Sequence, residues 1–458
     1  MPLTPAARHT EPAGDYPAPA YAWYVVIVLT LGYVVSFLDR QIFALLVQPI
    51  REDLGLSDTQ VSLVGGLAFA LFYTLLGIPI GRLVDRRSRR GLIAIGVTLW
   101  CLMTAACGLA RSYWTLFLAR VGVGVGEATL NPAALSLISD YFPRQRRGQA
   151  IGFYNMGVSL GVGIANIVGA WAISLAAAAP ALVLPWYGPL QPWQLVFMFV
   201  GLPGLLVALL MLSVREPPRR DKLRLAGPDG VVREELALAD TLRFLGARWS
   251  TYATHFVGMS VVTIIGYALF FWVPTMFVRS WGWTIPDSGY AYGLITLVSG
   301  PLGVNLGGWL ADRLYARGCH DGLMRISLYA TALVFVPASV AAPLMPTAAG
   351  ALVLLIPATL AGAAITAAGV AALMMITPNQ LRGQVTALYY FVINALGLTI
   401  GPTAVALITD YGFGDPQALR YSMAMVAAGA GILALGFLAA NLRLYRAAML
   451  EAEGWDQG

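Results

Sequence analysis

The sequence predicts an all-α integral membrane protein of twelve transmembrane helices, arranged as two pseudo-symmetric six-helix bundles. Three observations lead there. Only 11% of the 458 residues are charged and 58% are hydrophobic, where a soluble chain carries about a quarter charged residues. The apolar residues gather in blocks of about 20, the length that crosses about 30 Å of hydrocarbon as helix; in lipid, backbone groups must bond within their own segment. Finally, a polar signature is written once in each half, as Gly81-Arg82-Leu83-Val84-Asp85-Arg86 and Gly308-Trp309-Leu310-Ala311-Asp312-Arg313. A second signature recurs at a similar interval, Pro143-x-x-x-Arg147-Gly148-Gln149 and Pro378-x-x-x-Arg382-Gly383-Gln384. Duplicated membrane halves imply alternating access around a site near the bilayer midplane.

The elements follow in order. Residues 1–20 are proline-rich with no apolar run and read as a disordered cytoplasmic tail. No cleavable leader is visible, so the first helix serves as an uncleaved insertion signal. Apolar blocks at 22–47, 58–82, 91–110, 113–138, 149–176 and 192–214 make a first bundle over 21–214. A polar linker over 215–249 carries a Gly227-Pro228-Asp229-Gly230 turn. Its 234–245 stretch has amphipathic spacing, which suits either a helix lying on the cytoplasmic interface or a plain connection. Blocks at 250–278, 289–311, 323–344, 350–376, 383–409 and 419–442 make a second bundle over 250–442, followed by a cytoplasmic tail over 443–458.

Charge orients this chain. The loop after the second block holds Arg82, Arg86, Arg87, Arg89 and Arg90 against Asp85, while the loop after the first holds Arg51 against Glu52, Asp53 and Asp58. The arginine-rich side is the one shared by both termini and the linker, which predicts that it faces the cytoplasm. The net charge of +6 thus belongs to membrane ends and does not point to nucleic acid. Cys101, Cys107 and Cys319 cannot make a disulfide framework, and Cys319-His320 is too isolated for a metal site. The glycine run at 122–126 lies inside an apolar block, and no nucleotide loop occurs, so no cofactor is expected. With three histidines in all, no convergent catalytic set is visible, and the sequence does not read as an enzyme.

Two groups of charges carry the mechanism. Asp85 and Asp312 end the second span of each half, while Arg147 and Arg382 precede the fifth. A carboxylate is favoured at a helix N-terminus and an arginine pairs with it there. Asp85 with Arg382 and Asp312 with Arg147, flanked by Arg86 and Arg313, are therefore expected to form cytoplasmic latches between halves, closed when the protein faces outward. The second group, Asp39, Arg40, Arg120 and Glu127, lies inside predicted spans, where charges are costly and face internal cavities. Arg120 and Glu127 are two helical turns apart on one face, with Gly122, Gly124 and Gly126 letting a neighbour approach. Asp39 and Arg40 are consecutive, so their side chains diverge by about 100°. The expectation is that Asp39 loads and unloads a proton, that Arg120 holds an anionic substrate group or neutralises Asp39, and that Glu127 tunes the exchange. Arg40, nearer the end of its span, is expected to snorkel. From 256 to 442 no charged residue falls mid-span, so one cavity wall is charged and the other apolar. That asymmetry suits an amphipathic anion, and equally a small polar solute held by the charged half alone.

The 81–90 segment and its weaker copy at 308–317 resemble the loop motif of the major facilitator superfamily, with Ser88 where glycine is usual. Arg120 and the following glycines resemble the fourth-helix motif of that superfamily; the fifth-helix motif is weaker, since valine follows Gly161. Within it, Tyr33-x-x-Ser36-Phe37-Leu38-Asp39-Arg40 and Arg120-Val-Gly122-Val-Gly124-Val-Gly126-Glu127 resemble the Spinster family. That family is associated with movement of lysophospholipids and sphingosine-1-phosphate. The resemblance implies a monomer, and the arginine-rich, lysine-poor usage with no long N-terminal extension suggests a bacterial homologue, expected in the cell inner membrane. The resemblance further implies proton-coupled movement of an anionic lysolipid, with Asp39 and Glu127 coupling protons and Arg120, Ser36 and Tyr33 meeting the substrate. A proton-linked carrier of small organic anions or sugar acids is the alternative, which needs hydrogen-bonding groups on the second half's wall.

Overall fold

A computed structural model describes residues 16–180, 182–185, 187–219, 225–226, 232–233, 238–378 and 380–453. Among the described residues, twelve helices are long and apolar enough to cross a membrane. The first six are Pro19–Leu45, Asp58–Gly77, Arg89–Cys107, Tyr113–Tyr141, Gln145–Ala178 and Pro192–Ser213. The second six are Trp249–Trp281, Ile285–Tyr315, Gly322–Leu344, Ala348–Met375, Arg382–Phe413 and Pro416–Ala452. We number these spans one to twelve. An even count of antiparallel crossings puts both ends of the described chain and the linker on one face, here the terminal face; the other is the far face.

Span starts are set by short polar side chains that satisfy orphan backbone N–H groups. Ser57 and Ser112 form reciprocal capping boxes with Gln60 and Thr115, and Ser88, Thr284 and Thr347 cap the third, eighth and tenth spans. Packing repeats between halves: span one lies on five as seven lies on eleven, and two on four as eight on ten. Between bundles, five meets eight and, related by the pseudo-symmetry, eleven meets two, while one meets seven. The glycine run of span four does what its spacing suggests. A Cβ at Gly124 would stand 2.5 Å from the Phe69 carbonyl oxygen, and one at Gly126 would stand 2.7 Å from that of Gly96. Spans two and three thus approach span four backbone to backbone.

One expectation needs correction. The stretch from 443, read as a tail, continues the last helix to Glu453. Tyr445 and Met449 are buried there and Arg446 pairs with Asp321, so the helix has packing partners to its end. In the linker, a helix runs over Leu238–Ala247. It docks on the second bundle through buried Thr241, whose hydroxyl donates to Gln384 at 2.5 Å. Residues 234–237 and the Gly227-Pro228-Asp229-Gly230 turn lie outside the described residues, as do residues 1–15 of the leading tail.

Candidate functional site

Span one presents Tyr33, Ser36, Asp39 and Arg40 to spans two, four and five, and span four returns Arg120 and Glu127. Asp39, Arg120, Glu127 and Ser36 are all buried. Glu127 is the hub. Its Oε2 accepts from Ser36 Oγ at 2.5 Å and from Arg40 Nε at 2.9 Å and Nη2 at 2.6 Å, while Oε1 is buried without a hydrogen-bond partner. Arg40 therefore does not snorkel. The cost of burying it is met by the carboxylate and by aromatic faces, its guanidinium carbon lying 4.5 Å from the Phe69 ring centre and 5.0 Å from that of Tyr73.

Asp39 is different. Both carboxylate oxygens are buried with no hydrogen-bond partner, and the adjoining Thr104 hydroxyl is unbonded too. Arg120 does not clamp that carboxylate: its Nη1 reaches the Asp39 backbone oxygen at 3.3 Å, and its Nε is buried and unbonded. Its guanidinium carbon lies over Phe43 and Phe69, at 4.9 and 5.6 Å. The centre thus holds one satisfied pair, Arg40 with Glu127, beside a carboxylate and a guanidinium with unspent hydrogen-bonding capacity.

A small crevice between the bundles, of about 310 Å³, meets this centre at Arg40 alone and is lined by Arg40, Gly65, Gly66 and Phe69 from the first half and Tyr267, Phe270, Phe271, Leu398 and Pro402 from the second. Arg40, rather than Arg120, is the guanidinium at its wall. Tyr33 stacks on Tyr154 with ring centres 4.9 Å apart and lies within electrostatic reach of Arg40, Tyr73, Tyr267 and Tyr390. The second bundle's wall is not wholly apolar, since the Tyr267 hydroxyl donates to Asn394 at 2.8 Å. Trp272 and Tyr389 are buried within the second bundle.

Hydrogen bonds and ion pairs that join described residues of the two bundles lie at the far face. Arg279 of span seven binds both oxygens of Asp58 and reaches Gln48 at 2.9 Å. Asp410 of span eleven accepts from the Thr59 N–H and hydroxyl, each at 2.7 Å. Beneath them a Cβ on Gly66 would collide with the Leu398 carbonyl oxygen, so spans two and eleven touch through backbone. None of these residues was singled out from sequence. The available signal was an arginine pair, Arg51 and Arg279, on the side that the charge bias assigns few arginines.

Among the described residues, no ion pair joins the two bundles at the terminal face. Asp312, Arg313 and Arg86 are exposed; Arg313 stacks on Trp309, and Arg382 Nε donates to the Thr377 carbonyl at 2.9 Å. Arg147 Nη2 reaches the Phe142 carbonyl at 3.4 Å, and Asp312 does not pair with it here. The Asp85 side chain lies outside the described residues. Arg89 binds Asp140 of the first bundle and Glu216 of the linker, and within the second bundle Asp321 binds Arg325 and Arg446. The glycines at 157, 161, 397 and 401 pack spans five on one and eleven on seven, inside each bundle.

Similarity to known proteins follows the same outline. The profile of the Major Facilitator Superfamily matches residues 29–402. An MFS-type efflux pump of Mycolicibacterium smegmatis is 29% identical over 457 residues, 98% of this chain and 99% of that one. A probable L-galactonate transporter of Escherichia coli K12 is 26% identical over 300 residues, 64% of this chain and 62% of that one. A solved bacterial homologue of the human lysosomal transporter Spinster, in an inward-facing and unoccupied conformation, superimposes with a TM-score of 0.77. It is 28% identical, and the match covers 95% of this chain and 99% of that one.

Proposed function

This chain belongs to the Major Facilitator Superfamily, a multi-pass membrane transporter by that membership, and on that premise we propose that it is a proton-coupled carrier of an amphipathic anion. The substrate class is a lysophospholipid or sphingosine-1-phosphate-like lipid. The observation that carries the reading is the division of the crevice: charge from Arg40 and the centre behind it on one wall, Phe270, Phe271, Leu398 and Pro402 on the other. An anionic head has a partner on the first wall, and a hydrocarbon tail loses water against the second.

Asp39 and Glu127 are the proton carriers in this reading. With a proton on Glu127, its hold on Arg40 weakens, and Arg40 with Arg120 is released towards the substrate anion. When the substrate leaves, the guanidinium returns to the carboxylate and the proton departs. Burial and a neighbouring guanidinium act oppositely on a carboxylate's proton affinity, so motion between states can switch it. The terminal face is the cytoplasmic side of a cell inner membrane, and the conformation, bonded at the far face, is open inward. Asp85 with Arg382 and Asp312 with Arg147 close that face in the opposite state. The full-length likeness to the Spinster homologue supports the substrate class.

A second reading, a carrier of sugar acids, has one observation in its favour. The Tyr267–Asn394 pair gives the second wall hydrogen-bonding groups of the kind a polyhydroxy acid needs, and the galactonate transporter is a relative. Proteoliposomes with an imposed pH gradient separate the two. Gradient-dependent movement of a fluorescent lysophospholipid, lost in Arg120→Ala, supports the first. Accumulation of galactonate with no lysolipid movement overturns it in favour of the second, and equilibration of either solute regardless of pH removes proton coupling.

A further inference from the structure

Away from the charged centre, the second bundle buries one imidazole. His255 of span seven is fully buried, with Nε2 3.1 Å from the carbonyl oxygen of Gly369 on span ten. A carbonyl only accepts, so in the neutral ring Nε2 carries the hydrogen and Nδ1 is an acceptor. Nδ1 is buried and has no partner. Asn441 of span twelve adjoins the ring, and its orientation is fixed by the same logic. Its Nδ2 donates to the Thr251 carbonyl at 2.7 Å and to Thr254 Oγ1 at 2.8 Å. The Thr254 hydroxyl directs its own hydrogen to the Ser250 carbonyl at 2.7 Å. Turning the amide over would set oxygen against the Thr251 carbonyl, so Asn441 Oδ1 stays on the ring side, where it too is buried without a partner.

Two acceptors therefore stand at one locus, short of a single hydrogen. We propose that His255 is a proton-binding site of the second bundle, at which Nδ1 takes a proton from water and donates it in a hydrogen bond to Asn441 Oδ1. Burying an ionised ring is costly, and a charge-assisted hydrogen bond that satisfies two orphan acceptors offsets part of that cost. The ring's titratable neighbour is Tyr389 of span eleven, with ring centres 5.7 Å apart and a hydroxyl that is itself buried and unbonded. Span ten contributes the Gly369 carbonyl and span twelve the Asn441 amide. No charged side chain among the described residues of these spans, of spans one, eight and nine, or of the linker helix acts on the ring. Spans seven and eleven also carry Tyr267 and Leu398 to the crevice, so the proton's arrival bears on the wall opposite the carboxylates. The site is independent of the roles given to Asp39 and Glu127.

The chain has three histidines, His9, His255 and His320, so the full-length protein carrying His9→Asn and His320→Asn, labelled with 15N-histidine in nanodiscs, reports His255 alone. From pH 8 to 3 its imidazole shifts should pass from the neutral Nε2–H tautomer towards the doubly protonated ring. Asn441→Leu removes the waiting oxygen and should lower the midpoint by about one pH unit, a tenfold loss of proton affinity; Asn441→Asp should raise it. A ring that stays neutral over the whole range in which circular dichroism shows a folded protein overturns the proposal. So does an unmoved midpoint in Asn441→Leu or, if that variant does not fold, in Asn441→Asp.

Discussion

The guanidinium of Arg279 grips both oxygens of Asp58, at 2.6 and 2.7 Å, and ties the end of span seven in one bundle to the start of span two in the other. Both side chains are almost wholly buried. Arg51 adds a second contact to the same carboxylate at 3.1 Å. Breaking a buried pair from one side costs about 3–5 kcal/mol because the survivor keeps its desolvation penalty. Asp58→Ala, which strands Arg279, should shift the far face towards its open state by roughly a hundredfold or more in population. Arg279→Ala, with Arg51 still beside Asp58, should shift it less. Spin labels across the far face, read by double electron–electron resonance, measure the change; unchanged distance distributions in both variants would remove the lock.

Gly66 limits the same face by shape rather than charge. Its missing side chain lets span two reach the Leu398 carbonyl, so Gly66→Val should open the far face with every ion pair intact. The same spin-label pairs check this, and a closed distribution in the variant would be the contrary result.

Arg40 and Arg120 should separate stability from binding. Arg40→Ala leaves the buried Glu127 carboxylate with Ser36 alone, which predicts a loss of about 3–5 kcal/mol and a fall of several degrees in Tm. Adding Glu127→Gln removes the stranded charge and should recover much of it. Arg120→Ala abandons a 3.3 Å contact to a backbone oxygen and its two ring contacts but strands no ion-pair partner, so its Tm should fall less than that of Arg40→Ala while substrate-induced thermal stabilisation is lost. Equal Tm losses in Arg40→Ala and Arg120→Ala would contradict the assignment.

Asp39→Asn should fold as the parent does, since neither carboxylate oxygen has a hydrogen bond to lose. Gradient-driven accumulation in proteoliposomes should disappear while exchange of substrate for substrate persists. Retained accumulation in a well-folded variant would transfer the proton role elsewhere.

Acid should loosen the terminal face first. Burial works to raise the Glu216 carboxyl, but hydrogen bonds from Arg89, the Arg90 N–H and Ser88 outweigh it and hold the group below its ordinary 4.5. Asp321, likewise opposed by burial, is held below 3.8 by Arg446 and Arg325. A carboxyl lowered on folding contributes stability that is fully present above its unfolded value and is lost as pH falls through the folded one. Tm should therefore be flat with respect to these two groups from neutral pH to about 5 and fall below about 4. Glu216→Gln should have a lower Tm at pH 7 and a shallower acid decline. A parallel decline in parent and variant would remove Glu216 from the account.

The sequence alone determined the span count, the duplicated halves and the identity of the buried charges. Hydropathy is local: about 20 apolar residues must be helix in lipid whatever surrounds them, and Asp39, Arg120 or Glu127 inside such a run is conspicuous without any partner. Partner choice is not local. Whether Glu127 takes Arg40 or Arg120 depends on the rotation and offset of two helices, and two residues adjacent in sequence were sent to different fates. Arg279 ends an apolar block, where an arginine that anchors topology and one that locks two bundles look the same until span two is brought against span seven. The three orphan groups around His255 come from three spans, so only the packed second bundle brings them together. The last helix shows the converse: residues 443–453 are too polar to announce a span, and they stay helical because Tyr445, Arg446 and Met449 find the rest of the bundle beside them.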